Sequence, residues 1–359
     1  QVSGEGHYAL LDRVIGTLNK EFAAKGKLNN KPAWFVGAQT KMPRTPLLYP
    51  GKVLADASHN RLFIADSNHN RIVVTTLDGK VETVIGNGKS GLKDGSFTAA
   101  EFRYPQGMTL GDANTLYVAD TDNNAIRKID LKTHEVTTIA GTGAQQYLTG
   151  LSYRAKDTAL NTPWAVLFHD GLLYIAMAGQ HQLWTYDPAD GNLHLYAGSG
   201  QEGVDPGPLG DASFAQSSGL TTDGKYLYVA DPEASAVRQV GFGKGAEVRN
   251  LVGTGLFDFG DVNGIGDGVR LQHDLGIAWH AGSLYIADTY NSKIKVLDPS
   301  SRRVTTLAGD NGEFDEPGGV SVAGDTLYVA DTNHNRIALV NLKTGVVSGL
   351  KLDDPQHLL

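Results

Sequence analysis

Residues 328–337 read YVADTNHNRI and residues 63–72 read FIADSNHNRI, so nearly the same ten residues stand close to both ends of the 359-residue chain. Related strings built on LYVAD occur six times. They end at Asp66, Asp120, Met177, Asp231, Asp288 and Asp331, at steps of 54, 57, 54, 57 and 43 residues. A period of this length indicates a repeat architecture in which each copy is one structural unit.

Each copy carries further signals at constant places. An apolar residue follows six positions after each string, and a string such as FRYPQGM (102–108) or FDEPGGV (314–320) precedes it. The first five copies close on an apolar run and a glycine, as in VTTIAG (136–141). In the second copy this pattern predicts short strands at about 107–111, 115–119, 125–130 and 135–140. Six antiparallel four-stranded copies predict an all-β fold, a six-bladed β-propeller.

Four loops between copies are long, and they decide where binding is expected. In an up-and-down blade, the turn after the second strand and the blade-to-blade loop lie on one face. That face, called here the loop-rich face, is the candidate binding surface, because loops on a rigid scaffold commonly carry function. The four loops are 87–104, 142–162, 199–216 and 254–273.

Composition excludes several functional classes. Hydrophobic residues make up 41% and charged residues 19% of the chain, as in an ordinary globular protein. No apolar run approaches the length of a membrane helix. Cysteine is absent, so this chain holds no disulfide and no thiolate metal site. The net charge of −8 argues against nucleic acid. We expect a cytoplasmic location; a periplasmic or secreted one stays open, because the chain starts at Gln1.

The aspartates that end the repeated strings are predicted to be structural. An Asp at a strand end accepts backbone N–H bonds in the turn that follows, and Asn tolerates the left-handed conformation that such turns need. Chemistry rarely needs one residue five times around a ring. These turn residues are Asp66, Asp120, Asp231, Asp288 and Asp331.

The repeats resemble NHL repeats, and strings outside the generic repeat resemble the propeller of the NHL-repeat-containing protein 2 family. Those strings are YPGKV (49–53), IAMAGQHQLW (175–184), FAQSSGL (214–220), FGDVNGIG (259–266) and LQHDLGI (271–277). The resemblance runs from about Tyr49 to Leu352. It implies that a thioredoxin-like domain precedes the propeller in cis, and that any redox cysteines lie outside this chain.

The N-terminal segment fits that boundary. Apolar residues at spacings of three and four predict one helix stripe, made of Tyr8, Leu11, Ile15, Leu18 and Phe22. We therefore divide the chain into residues 1–30, a helix that resembles the end of a thioredoxin-like domain, and residues 31–359, the propeller. A simple helix packed on the propeller is the alternative. Residues 27–35 would form the linker.

The third copy departs from the repeat, and such departures mark places where function overrides structure. Met177 replaces the turn Asp, and Gln180, His181 and Trp184 are singular there. Trp164 stands near the expected channel mouth. The alternative interpretation is that Trp164 and Trp184 fill space between blades.

The channel mouth supplies further candidates. The expected starts of the innermost strands are Lys52, Gln106, Trp164, Ser218, Leu275 and Gly318. This set contains neither a carboxylate nor a histidine, which argues against a channel metal of the hydrolase or lyase type. His273 and Asp274 form a weak candidate pair for general acid–base work.

Three groups of charged residues could have either a structural or a functional role. His69 and His334 share one turn position; a shared metal is conceivable, but we expect exposed turn histidines, because other copies have varied residues there. Loop 257–268 holds three aspartates without EF-hand spacing, which favours a flexible acidic loop tied down by Phe257 and Phe259 over a calcium site. A basic patch for RNA could come from Arg71, Arg127, Arg238, Lys295 and Arg336.

The sequence therefore predicts a non-catalytic propeller that binds a protein or peptide, with no cofactor and no metal. The candidate binding residues are Lys52, Gln106, Trp164, Gln180, His181, Ser218, His273 and Asp274. A metal-dependent hydrolase or lyase and an RNA-binding propeller remain the alternatives.

Overall fold

The computed structural model describes residues 8–29 and 45–359. The chain divides into two compact units, Gln1–Arg44 and Thr45–Leu359. In the first unit, helix α1 (Tyr8–Ala24) carries the predicted apolar stripe, whose five residues are 43–81% exposed. The predicted propeller start at residue 31 and most of the predicted linker lie outside the described residues.

The second unit is a six-bladed propeller, in which each blade is one antiparallel sheet. Blades one and two contain β1 (Lys52–Asp56), β2 (Arg61–Asp66), β3 (Arg71–Thr75), β4 (Val81–Ile85), β5 (Gly95–Ser96), β6 (Pro105–Asp112), β7 (Thr115–Asp120), β8 (Ala125–Asp130) and β9 (Glu135–Ala140). Blades three and four contain β10 (Ser152–Arg154), β11 (Pro163–His169), β12 (Leu172–Met177), β13 (Gln182–Asp187), β14 (Asn192–Ala197), β15 (Gly207–Pro208), β16 (Gly219–Thr222), β17 (Tyr226–Asp231), β18 (Ala236–Gly241) and β19 (Glu247–Val252). Blades five and six contain β20 (Gly264–Ile265), β21 (Asp274–His280), β22 (Ser283–Asp288), β23 (Lys293–Asp298), β24 (Arg303–Ala308), β25 (Pro317–Ala323), β26 (Thr326–Asp331), β27 (Arg336–Asn341) and β28 (Val347–Gly349).

Blades two to five differ from the prediction by a fifth strand on the outer edge. The long loops supply these strands, which are β5, β10, β15 and β20, each paired with the outermost strand of the main meander. An outer edge strand exposes unpaired backbone groups, and a short added strand covers part of that edge. The insertions therefore belong partly to the scaffold.

The apolar core lies between blades. The apolar residues of adjacent blades interlock, as with Tyr117 of blade two and Trp184 of blade three. The same arrangement joins blade six to blade one, where Tyr328 packs with Leu62 and Ile64. Trp184 is fully buried between blades two and three, as the interpretation that it fills space between blades predicted. A single blade cannot cover its own faces, so the ring supplies the core.

One hydrogen bond recurs at all six blade junctions. The left-handed residue that ends the turn after the second strand accepts a backbone N–H from the segment that leads into the next blade. Asn70 Oδ1 accepts from Tyr104 N at 3.2 Å, and Asn335 Oδ1 accepts from Tyr49 N at 2.8 Å, which closes the ring. The other junctions are Asn124–Thr162, His181–Gln216, Ser235–His273 and Ser292–Glu316.

We expect the bond at the closing junction to matter more than a similar bond inside one blade. Asn335→Gly keeps the left-handed backbone (φ 55°) and removes the acceptor, so unfolding free energy should fall by about 1 kcal/mol. Asn335→Ala adds backbone strain and should cost about 2–3 kcal/mol. Chemical denaturation gives these values, and the Tyr49 amide should exchange faster.

Asn60→Gly is the matched control. Asn60 also has a left-handed backbone (φ 52°), but its Oδ1 accepts from Leu77 N at 3.4 Å within blade one. The Asn60→Gly variant should leave hydrogen exchange at the Tyr49 amide unchanged. Equal Tyr49 exchange in the Asn335 and Asn60 variants would contradict a ring-closing role.

Candidate functional site

The turn aspartates are fully buried, and each accepts a backbone N–H from the segment that leads into its own blade. Asp66 Oδ1 accepts from Leu48 N at 2.7 Å, and Asp120 Oδ1 accepts from Arg103 N at 2.7 Å. The same bond is made by Asp231, Asp288 and Asp331. These side chains are structural, but the predicted partner was wrong: the carboxylate bonds back to the lead-in segment, whereas we expected the following turn.

The other carboxylate oxygen takes a donor from within the turn. His69 Nδ1 lies 2.8 Å from Asp66 Oδ2, and Asn123 Nδ2 lies 2.9 Å from Asp120 Oδ2. The same contact joins His334 to Asp331 and Asn291 to Asp288. The two histidines are thus tied to separate carboxylates of their own blades. In four blades this position holds a donor to the turn aspartate, whereas blades three and four have Gln180 and Ala234 there, so the position takes varied polar or small residues.

Cationic side chains of the third strands complete this network. Arg127 Nη1 lies 2.8 Å from Asp120 Oδ2, and Arg238 Nη1 lies 2.9 Å from Asp231 Oδ2, with all four side chains fully buried. Burial raises the pKa of Asp120 to about 6, and the Arg127 charge opposes that rise.

The basic patch considered for RNA is therefore not assembled. Arg127, Arg238 and Lys295 are fully buried. Arg71 and Arg336 are paired through Nε with the turn aspartates of their own blades, at 2.8 and 2.7 Å. The five side chains serve the scaffold.

The departure in blade three also serves the scaffold. Gln180 is buried, and its amide donates to Leu148 O at 2.6 Å and accepts from Leu148 N at 2.9 Å. It thereby holds the long insertion against the turn. His181 is buried as well, and its Nδ1 accepts the junction bond from Gln216 N at 3.3 Å. Sequence comparison among copies singled out these residues, but could not show that their side chains turn inward.

The axial channel brings other candidates together. The strand register places Lys52 opposite Ala65, at the same level as Gly219 opposite Ala230 and other small residues. Its level is shared by Gly107, Ala165, Gly219, Gly276 and Gly319. The predicted alignment of Lys52 with Gln106 was thus wrong by one residue, and Gly51 takes the Gln106 position.

Three candidate side chains near the channel mouth on the loop-rich face form hydrogen bonds within the propeller. Lys52 Nζ donates to the backbone oxygens of Leu275 and Gly318, the latter at 2.8 Å. Ser218 Oγ donates to the same Leu275 oxygen at 3.0 Å. Gln106 is buried and donates to Ser67 Oγ at 3.2 Å. Trp164 is half-buried, and its Nε1 has no hydrogen-bond partner among the described residues.

His273 and Asp274 point into different surroundings, so the predicted acid–base pair is not formed. His273 Nε2 lies 3.0 Å from Glu233 Oε2, and its ring stacks on Tyr290 with centroids 4.3 Å apart. Asp274 is fully buried, and neither carboxylate oxygen has a hydrogen-bond partner among the described residues. Burial raises the pKa of Asp274 well above its ordinary value, and the charge of Asp288 adds to this rise.

A cavity of about 190 Å³ lies on the axis beyond Lys52, toward the face opposite the turns. Its lining residues include Thr109, Thr221, Ser321 and Trp279. Our sequence reasoning missed these residues. The signal was available: two residues after the Lys52 level, aligned copies carry a hydroxyl in blades two, four and six only.

Polar contacts hold the acidic loop 257–268, whereas Phe257 and Phe259, which we expected to tie it down, are exposed. Asp258 accepts from Thr254 Oγ1 at 2.7 Å, and Asp261 pairs with Lys293 at 2.8 Å. Asp267 pairs with Arg302. In residues 8–29 and 45–359, no group of three or more His, Cys, Asp or Glu side chains is placed to hold a metal ion. Nor do these residues include a helix long and apolar enough to cross a membrane.

Comparison with known proteins agrees with the repeat and the ring. The NHL repeat family model matches residues 102–129 and 314–338, which lie in blades two and six. NHL repeat-containing protein 2 of Gallus gallus is 39% identical over 98% of this chain. The chain spans 54% of the length of that relative.

Among solved structures, a nidogen/laminin complex has a TM-score of 0.54 and 16% identity, over 83% of this chain and 94% of that one. A virginiamycin B lyase of Staphylococcus aureus has a TM-score of 0.51 and 14% identity, over 84% and 83%. At these identities, the likeness concerns the fold alone.

Repeat, ring and sequence matches together define a six-bladed β-propeller built from NHL repeats. More narrowly, it is a propeller of the NHL repeat-containing protein 2 type.

We expect the buried ion pairs to be structural. Arg238→Met leaves Asp231 buried without its cation, so unfolding free energy should fall by about 3–5 kcal/mol. Adding Asp231→Asn should recover part of that loss, since the unpaired charge disappears. Denaturant unfolding checks both. Arg249→Met is the control, because that side chain is 68% exposed and should change stability by less than about 0.5 kcal/mol. A loss equal to that of the control would contradict the structural role.

Proposed function

We propose that this propeller is a non-catalytic binding scaffold that recognises a protein or peptide through its loop-rich face. The observation that carries the proposal is the placement of exposed apolar side chains. Within residues 45–359, seven of the eight large hydrophobic residues that are exposed lie on the insertions that lead into blades three and five or on the turn after the second strand of blade five, although Ile265 among them lies in outer-edge strand β20, opposite Arg303. They are Tyr147, Leu151, Phe257, Phe259, Val262, Ile265 and Tyr290.

Exposure of this kind matters most in blade five. Phe257 and Phe259 are 79% and 56% exposed, and Tyr290 is 52% exposed. The insertion is held to the turn because Asn291 Nδ2 donates to Gly260 O at 2.7 Å. We call Phe257, Phe259 and Tyr290 the aromatic patch. Aromatic side chains that a scaffold holds in solvent favour recognition of another chain, since such residues dominate interface energetics.

The contacts around the channel support a binding role over catalysis. Side chains at the mouth that could take part in a reaction, such as Lys52 and Ser218, donate to backbone oxygens instead. His273 and Asp274 do not meet. A hydrolase or lyase needs convergent groups around a substrate, and the basic residues that an RNA surface would need are buried or paired.

A thioredoxin-like neighbour in the full-length protein is part of the proposal. It rests on the family resemblance and on a curated relative that extends well beyond the matched segment. In that arrangement the propeller positions the redox domain next to a bound partner.

The aromatic patch predicts a specific loss of binding. A displayed library of random peptides, selected on the wild-type chain, should yield peptides whose affinity falls at least tenfold for Phe257→Ser/Phe259→Ser/Tyr290→Ser. Removal of aromatic anchors costs interface energy directly. Val346→Ser is the control, because Val346 is 65% exposed but lies in the β27–β28 hairpin. Equal affinity for both variants, or no enriched peptide, would refute this surface.

The redox neighbour predicts thiols in the endogenous protein. This chain contains no cysteine, so every thiol alkylated after denaturation must come from additional polypeptide. We expect an intact mass well above 38.3 kDa and at least two alkylated thiols, as read by mass spectrometry. A thiol-free protein near 38.3 kDa would remove the redox link and leave the binding scaffold.

A further inference from the structure

One long cationic side chain lies on the axis at a level where the other five blades have only Gly or Ala. A Cβ on Gly319 would lie 2.9 Å from Lys52 Cδ, so the Lys52 side chain lies across that glycine. Only small residues at this level leave room for it. Lys52 is buried, and it lines the cavity that continues along the axis.

Hydroxyl groups form a second level, two residues farther along the innermost strands. Thr109 Oγ1 accepts from Phe168 N at 3.1 Å, and Thr221 Oγ1 accepts from Trp279 N at 3.0 Å. Ser321 Oγ accepts from Ala55 N at 2.9 Å. Each hydroxyl hydrogen has no acceptor among the described residues, so three donors remain at the cavity wall. Two strand residues span about 7 Å, which separates these donors from the Lys52 level.

Charge and shape of the cavity favour one ligand class. Its lining contains a lysine but no carboxylate, and the side chains between the two levels are apolar. Asp274 is near enough to influence the charge of Lys52, but it is not part of the lining. An anion with a short apolar body would meet a cation at one end and hydroxyl donors at the other.

We propose that the axial cavity binds a small organic dicarboxylate, with one carboxylate at Lys52 and the other among Thr109, Thr221 and Ser321. This site is distinct from the aromatic patch, so either proposal can fail alone. The ligand enters from the face opposite the turns, because the cavity extends from the Lys52 level toward that face. Trp279, which stacks on Tyr228 with centroids 5.9 Å apart, forms a rigid part of the cavity wall.

Binding should be coupled to protonation of Lys52. Burial lowers the pKa of Lys52 to about 7, and Asp274 on β21 opposes that shift. Asp274 is itself faced by Asp288 on β22 and Asp231 on β17. A bound carboxylate stabilises the charged lysine and so raises its pKa. Above pH 7 the protein must therefore take up a proton when the anion binds.

Isothermal titration calorimetry with succinate tests this on the whole chain, in buffers of different ionisation enthalpy. At pH 8, proton uptake should approach one per succinate. At pH 6, Lys52 is already mostly charged and succinate is partly protonated, so the uptake should disappear or turn into a small release. The dissociation constant should be about fivefold weaker at pH 8 than at pH 7, since the charged fraction of Lys52 falls by that factor. No binding, or binding without uptake at pH 8, would overturn the proposal.

Variants separate the two ends of the site. Lys52→Met should abolish both binding and proton uptake, whereas Lys225→Met, an exposed lysine, should change neither. Thr109→Val should weaken binding several-fold and leave proton uptake intact. If Lys52→Met fails to fold, NMR titration of the Lys52 ε-methylene protons in wild-type protein decides: succinate must raise that pKa. Equal binding of inorganic phosphate would refute the dicarboxylate assignment.

Discussion

The hydrogen bond from each blade's lead-in segment to the left-handed residue of the preceding turn holds the ring together. It needs two non-glycine residues at positive φ, such as Asn335 and Tyr49 at 55° and 46°, at every junction. Such conformations cost free energy in isolation. They persist because the acceptor and the donor are each fixed by a second interaction. The strained backbone and the hydrogen bond thus form one structural unit, which is repeated at all six junctions.

In five of the six blades, that second interaction comes from the turn aspartate; blade three has Met177 at this position. Asp66 fixes the lead-in segment of its own blade through Leu48 N, and it fixes the turn through His69 and Arg71. A buried carboxylate is costly unless it is paired and hydrogen-bonded, and here both conditions hold. The repeated Asp, His, Asn and Arg residues, which resemble catalytic groups in the sequence, therefore have a structural role. Functional side chains are therefore to be sought outside the junction hydrogen bonds and the contacts of the turn aspartates.

Local periodicity explains what could be predicted from the sequence. Six copies, strands such as Glu135–Ala140 and the structural role of the aspartates follow from alternation and from turn residues, which are local properties. The fifth strands escaped prediction because two-residue strands such as Gly95–Ser96 have no period. The level of Lys52 was also mispredicted, because Gly51 precedes it and the glycines of other copies, such as Gly107, can be aligned with either residue. Burial of Gln180 and Asp274 depends on contacts distant in sequence.

Lys52 and Asp274 are the two ionisable side chains for which the ring geometry gives no reason. Other blades show that Gly or Ala serves at the first position, and four blades have Pro at the second, as Pro317 in blade six. Burying an amine and a carboxyl without direct pairing raises the free energy of the folded state. Lys52 Nζ donates to two backbone carbonyls, which links blade one to blades five and six, yet the carboxyl of Asp274 gains no comparable bond. A scaffold selected for stability alone would have kept the small residue and the proline. Both residues are better explained if Asp274 affects the protonation of Lys52 and an anion bound in the cavity neutralises the charged lysine.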